Sequence, residues 1–195
     1  MNASIAKNET LLEVALAPLD FVKQVGLVIG FSLVTALAAQ IVITIGPIPI
    51  TGQTFAVLLT GALLGSRLGA ITMIVYLIEG ASGLPFFSGG TAGLLHLMGP
   101  TGGYLIAFPA AAFITGAFAE HEWDRKFFTA AAAMAIGSIV IMFAGWMWFS
   151  LVMRTSPALT VFDTVLKFVP GDIIKICLAA AVLPSGWKLI GKRRS

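Results

Sequence analysis

Long charge-free stretches, separated by short charge clusters and Gly-Pro turns, organise this chain. No charged residue lies between Gln24 and Ser66, and Gly46-Pro47-Ile48-Pro49 interrupts that stretch. A helix needs about 20 mostly apolar residues to cross roughly 30 Å of hydrocarbon. The pattern therefore predicts two helices, over about 24–46 and 51–66. Arg67 marks the next break, and a short third helix follows over about 68–80. Gly80 to Ala119 is again uncharged, but its first part, to Gly103, is crowded with Gly and Pro. It reads as a long irregular loop followed by a fourth helix over about 103–119. Glu120 to Lys126 is a water-facing loop, Phe127 to Met153 a fifth helix and Arg154 to Pro170 a mixed loop. Asp172 to Ile190 is a sixth helix with two charges in its first turns. Residues 8–22, with Glu9, Glu13 and Asp20 among Leu and Ala, predict a short amphipathic or interfacial segment. The expected fold class is an all-α integral membrane protein with six transmembrane helices. It forms a single membrane domain over 1–195: a cytoplasmic or interfacial segment over about 1–23, then a bundle over about 24–190.

Composition strengthens the membrane reading. Hydrophobic residues make up 58% and charged residues 11%, and mean hydropathy is +0.97. Soluble chains carry about 25% charged residues, so most water-soluble folds, disorder and a coiled coil are excluded. The net charge of +3 is scattered between apolar runs, which is no nucleic-acid footprint. The first 23 residues carry three acids and the next apolar run is too long for an h-region, so no cleavable signal peptide is expected. Cys177 is the single cysteine and looks buried, so no intramolecular disulfide forms. With six helices both termini share one side, and Lys and Arg choose which. With the termini inside, inner segments hold Lys7, Lys23, Arg67, Arg125, Lys126, Lys188, Lys192, Arg193 and Arg194, against Arg154 and Lys167 outside. Nine against two places both termini in the cytoplasm.

The candidate chemistry lies on the outer side. Asp172 and Lys175 follow Pro170-Gly171 and, three apart, share one helix face. Such charges near a membrane cost energy and normally face a polar cavity. They read either as an ion pair reaching the interface or as a ligand clamp; an acceptor carboxylate beside a three-donor ammonium suits a neutral ligand with N–H donors and a carbonyl. The uncharged loop Ala81–Gly103, with Phe86 and Phe87, is expected to fold over the bundle as a lid or plug. Gly99-Pro100-Thr101-Gly102-Gly103-Tyr104 opens the fourth helix, with Thr101 as a plausible cap and glycines that admit close backbone approach. No Lys-Ser or Lys-Thr follows, so it is not a phosphate loop. Gln53 and Thr54 either point into the same cavity or bond between helices. Glu79 is expected at the interface, and His96 as a satisfied structural histidine rather than a ligand. Two distant histidines and one cysteine build neither a metal site nor a nucleophilic triad. Small residues repeat every four positions at Gly61, Gly65 and Gly69, at Ser32 and Ala36, and at Thr35 and Ala39, as faces for packing or for docking a partner.

Several of these motifs carry a resemblance. Pro47 to Leu59, Gly61 to Gly69, Gly83-Leu84-Pro85-Phe86-Phe87-Ser88-Gly89-Gly90, Gly99 to Tyr104 and Gly171-Asp172-Ile173-Ile174-Lys175 resemble the BioY family, over about residues 24–190. That family comprises biotin-binding S components of energy-coupling factor (ECF) transporters. The resemblance implies an S-component fold with six helices and cytoplasmic termini in the cell (inner) membrane. It implies biotin captured from outside, under the loop between the third and fourth helices. The implied substrate-binding residues are Asp172, Lys175, Phe86, Phe87, Gly89, Gly102, Tyr104 and Gln53. Asp172 would accept from a ureido N–H. Lys175 would donate to the ureido carbonyl or to the valerate carboxylate. Some family members have Asn where this chain has Gly89, and a side-chain bond they make is then lost or replaced by backbone. The implied partners are a transmembrane T component and two cytoplasmic ATPases, docked through Ser32, Thr35, Ala36 and Ala39. No cofactor, metal or catalytic residue is expected. A self-sufficient secondary transporter, or an S component for another vitamin-like solute, is the alternative.

Overall fold

The computed structural model describes residues 10–194, with 191–194 described by backbone alone. Lys7 and Glu9, and the side chains of Lys192, Arg193 and Arg194, lie outside what it describes. The chain is mostly helical. A short helix α1 (Leu11–Leu16) carries a capping box between Thr10 and Glu13. Helix α2 (Phe21–Ala38) is capped by the Asp20 side chain, which accepts from the Lys23 amide. It ends well before residue 46. Beyond it, within the β-branched run Ile41-Val42-Ile43-Thr44-Ile45, Val42 and Ile43 pair instead as a strand. β1 (Val42–Ile43) and β2 (Ile50–Thr51) form an antiparallel pair with Val42 opposite Thr51. The fold is therefore not purely α: β-branched residues fit a pleated backbone better than a helix, and Gly46-Pro47-Ile48-Pro49 turns between the strands.

Helix α3 (Gln53–Ala81) contains the sharpest feature of the backbone. Gly65 sits at φ 84°, ψ 176°, a region essentially closed to other residues. The chain folds back there. A Cβ placed on Gly69 would lie 2.9 Å from the Gly61 Cα, and Gln53 Nε2 donates to the Tyr76 hydroxyl at 2.6 Å across 23 residues. Residues 53–64 and 66–81 are thus two antiparallel halves. The spacing of Gly61, Gly65 and Gly69 serves one turn: the middle glycine bends, and the outer two let the halves touch. Glu120 closes the turn by accepting from the Ser66 amide at 2.7 Å and the Ser66 hydroxyl at 2.8 Å.

A short helix α4 (Leu94–Met98) lies within the glycine-rich loop. Helix α5 (Gly102–Glu120) packs most extensively on α3, because Gly116 lets α5 approach the Gly65 backbone directly. Helix α6 (Phe127–Val152) follows, then α7 (Pro157–Thr164) inside the segment expected as loop, then α8 (Val169–Arg194). By length and composition α2, α3, α5 and α6 are apolar enough to cross a membrane. Large apolar side chains face outward all round, among them Ile29, Leu33, Ile139, Phe143, Ile173 and Leu178. A surface of that kind needs lipid rather than water. Cys177 is exposed on α8, so its apolar neighbours face outward with it and the expectation of burial does not hold.

At the end of the bundle that carries Gly65, α8 is fastened to the α5–α6 connection. Trp187 Nε1 donates to Asp124 Oδ2 at 2.5 Å, and the Arg125 guanidinium stacks 4.6 Å over the Trp187 ring. Asp124 is buried, and its Oδ1 has no partner among the described residues. Burial pushes its carboxyl from 3.8 up to about 6, against the lowering effect of the Trp187 N–H. A carboxyl raised in the folded state favours folding only while protonated, and that contribution disappears above the folded value. Stability at this site is therefore expected to fall as pH rises from about 4 through about 6. Asp124→Asn should flatten that part of the melting profile in detergent. An unchanged slope in the variant would show that Asp124 does not titrate there.

Candidate functional site

The opposite end of the bundle holds a narrow cavity lined mostly by apolar atoms. Six segments build it, Ile141 and Met142 of α6 and Phe168 just before α8 among them. The β1–β2 turn and the start of α3 bring Ile48, Pro49, Thr51, Gln53 and Thr54; the glycine-rich loop brings Ser88 and His96; the top of α5 brings Thr101, Tyr104 and Phe108; and α8 brings Asp172 and Lys175. A wider mouth adjoins it, sharing Pro49, Ser88, His96 and Thr101 as a common wall.

Asp172 and Lys175 lie side by side, with Lys175 Nζ 3.6 Å from Asp172 Oδ1. The Lys175 ammonium also donates to the Thr51 carbonyl and the Thr54 hydroxyl, each at 2.8 Å. Behind Asp172, the buried Ser138 hydroxyl on α6 donates to Oδ2. One carboxylate oxygen is thereby held from behind and the other faces the ammonium. Ser138 carried no signal in the sequence, since a lone serine in an apolar helix is ordinary. Thr51 is a hub: its hydroxyl donates to Gln53 Oε1 at 3.0 Å while its carbonyl holds Lys175. From Gln53 the network runs to the Tyr76 hydroxyl, which donates to the Phe86 carbonyl at 2.8 Å. Gln53 therefore lines the cavity and also bonds between the halves of α3.

Tyr104 lines the cavity with its hydroxyl donating to the Thr164 carbonyl at 2.7 Å. Its ring fits against Gly145, where any Cβ would overlap it. The mouth side is strapped by Lys167, whose ammonium donates to the Ile45 and Ile48 carbonyls at 2.7 and 2.9 Å.

The remaining expected residues lie elsewhere. Phe87 is fully buried behind the loop, filling the space left by Gly80. The Phe86 ring stacks against Tyr76 with centroids 6.4 Å apart and does not line the cavity. Gly89 is exposed at φ 64° and its amide donates to the Ala39 carbonyl. Gly102 is held small by packing: a Cβ there would overlap the Leu97 carbonyl. Thr101 makes no side-chain cap; its hydroxyl lies 3.2 Å from His96 Nε2. His96 lines the cavity as well as packing on the loop. Among the described residues, no group of His, Cys, Asp or Glu is arranged to hold a metal ion.

Ser32, Thr35, Ala36 and Ala39, expected as a docking face, are buried. Their small side chains allow α2 to pack inward on α3. The outward face of α2 carries Ile29, Leu33 and Leu37.

Comparison with known proteins agrees with this architecture. The chain is 39% identical over 160 residues to a probable biotin transporter BioY of Pyrococcus horikoshii, covering 82% of this chain and 93% of that protein. It is 34% identical over 165 residues to the biotin transporter BioY of Rhizobium etli, covering 75% and 87%. A crystal structure of the S-component for biotin from an ECF-type ABC transporter superposes with a TM-score of 0.79 at 28% identity, over 86% of this chain and 92% of that one. These names describe transport rather than catalysis. With residues 6–192 matching the family as a whole, the chain belongs to the BioY family.

Proposed function

We propose that this chain is the substrate-binding membrane subunit for biotin uptake. It captures biotin at the outer face and delivers it inward when coupled to an ATP-driven module. The observation that carries this reading is the Asp172–Lys175 pair at an otherwise largely apolar cavity. The ureido ring of biotin offers two N–H groups and a carbonyl, and the apolar bicycle suits Tyr104, Phe108 and Phe168. Asp172 accepts from a ureido N–H. Lys175 exchanges one of its bonds to Thr51 or Thr54 for a ligand oxygen, so binding loosens the β1–β2 turn from α8.

The topology follows from the same reading. The two halves of α3, with α2, α5, α6 and α8, make six crossings of one membrane domain in the cell (inner) membrane, with both termini cytoplasmic. The cavity then opens outward, and the Asp124–Trp187 contact lies at the cytoplasmic end. Residues 53–64 rise only about 18 Å at 1.5 Å per residue. The β1–β2 segment, with Ile41, Ile43 and Ile45 facing outward, extends this crossing. Uphill transport borrows energy from a transmembrane T component and two cytoplasmic ATPases.

Titration calorimetry of the purified protein in detergent tests the ligand, with riboflavin and thiamine as controls. Tight, saturable binding of biotin alone is expected. Binding of a control in its place would move the reading to another vitamin-like solute. In vesicles, uptake should require the assembled ATPases; uptake driven by an ion gradient alone would make the chain a self-sufficient transporter.

A further inference from the structure

The polar lining of the cavity divides into two groups. Asp172 and Lys175, with Thr51, Gln53 and Thr54, form one; Ser88, His96 and Thr101 form the other, which alone continues into the mouth. His96 stands at the neck between them. Among the described residues it is the only ionisable side chain lining the mouth.

Its ring is held in place. It stacks on Phe87 with centroids 5.3 Å apart and planes 19° from parallel, and Phe87 is itself fully buried against Gly80. Nε2 lies 3.2 Å from the Thr101 hydroxyl and 3.5 Å from that of Thr91. Nδ1 has no hydrogen-bond partner among the described residues. Burial lowers the pKa of the ring below 6.5, so it is neutral at pH 7.5 and gains charge on acidification.

The other group is poorly suited to an anion. Lys175 is already neutralised by Asp172 at 3.6 Å, and its donors face Thr51 and Thr54. A carboxylate brought there would meet the Asp172 carboxylate. Around the neck and mouth, the ionisable groups on neighbouring elements are Tyr76 and Glu79 on α3, Tyr104 on α5, Asp163 on α7, Lys167 between α7 and α8, where it is engaged with the Ile45 and Ile48 carbonyls, and Asp172 and Lys175 on α8. Of these only Tyr104, Asp172 and Lys175 line the cavity with His96, and no acid lines the mouth.

We propose that His96, with the Ser88 and Thr101 hydroxyls, forms a neck subsite for the carboxylate tail of the ligand and selects the free acid over neutral derivatives. This rests on the biotin reading, and it assigns the ureido carbonyl to Lys175. Protonation of His96 adds a charge-assisted donor at the neck, so capture of the acid strengthens as pH falls while capture of a neutral derivative does not.

The test measures the affinities of biotin and of biotinamide for the wild-type protein and for His96→Gln, at pH 7.5 and pH 5.5. Both ligands keep the ureido ring, so any effect of pH on Asp172 cancels in their ratio. The wild type is expected to prefer the acid severalfold, with the preference growing severalfold at pH 5.5. His96→Gln should keep biotinamide binding and lose the pH-dependent part of the preference. A wild-type ratio flat with pH, or the same ratio and pH trend in the variant, would overturn the subsite. The wild-type arm decides even if the variant fails to fold. Failure of both ligands to bind the folded wild type would overturn the biotin reading, and the subsite with it.

Discussion

Asp172→Asn is expected to weaken biotin binding about 10- to 100-fold, because a hydrogen bond to a charged group is worth about 1.5–3 kcal/mol. The variant keeps the shape and the Ser138 contact. It replaces an acceptor oxygen with an NH₂ that faces donors: the Lys175 ammonium at 3.6 Å and the ligand N–H. It also leaves Lys175 as an uncompensated cation at the cavity wall, which its bonds to Thr51 and Thr54 offset only in part. Calorimetric titration of the purified variant reads the loss, and a thermal melt confirms that the protein is folded. Unchanged affinity would remove Asp172 from the site and leave the pair as an interfacial ion pair.

Gly65→Ala is expected to have the largest effect on folding. Its backbone, at φ 84° and ψ 176°, costs a residue with a side chain about 1–3 kcal/mol. The added Cβ would also lie 2.8 Å from Glu120 Oε1 and 3.1 Å from Thr10 Cγ2. Displacing Glu120 removes the partner of the Ser66 amide and hydroxyl at the start of the second half of α3, at a further cost of about 1–3 kcal/mol. The total, about 2–6 kcal/mol, is a large share of the about 5–15 kcal/mol that holds a typical domain folded. A steep fall in monodisperse protein and in melting temperature should follow. Gly26→Ala is the control, since nothing lies within 4 Å of its Cβ position and Ala favours a helix. If Gly65→Ala melts with the wild type, the fold-back does not depend on that glycine.

Much of this molecule is legible without coordinates, for an identifiable reason. Each apolar stretch is long because lipid, not a particular neighbour, demands it, so the helix at 127 and the one before residue 120 are found within a residue or two. Arg67 and the glycines beside it mark the break between the halves of α3 because charge and backbone freedom are local properties. Asp172 and Lys175 stand out because ions are rare in such surroundings, and three-residue spacing puts them on one face.

What composition and spacing leave open depends on contacts between distant segments. Residues 39–46 are as apolar as a helix, and only pairing with Ile50–Thr51 makes part of them strand. Ser32, Thr35, Ala36 and Ala39 read equally well as an inner or an outer face, and packing on α3 turns them inward. Phe87 and Gly102 have residue types suited to a ligand, yet a neighbouring glycine and a carbonyl claim them for packing. Ser138 and His96 were obscured for the converse reason: each is an ordinary residue until the fold sets it against Asp172 or at the neck of the cavity. The sequence by itself determined the membrane habit, the breaks between helices and the charged pair, all set by hydropathy and local backbone freedom. The tertiary structure alone decided which small residues pack and which polar residues face the cavity. Those choices are made by residues far apart in the chain that meet only when it folds.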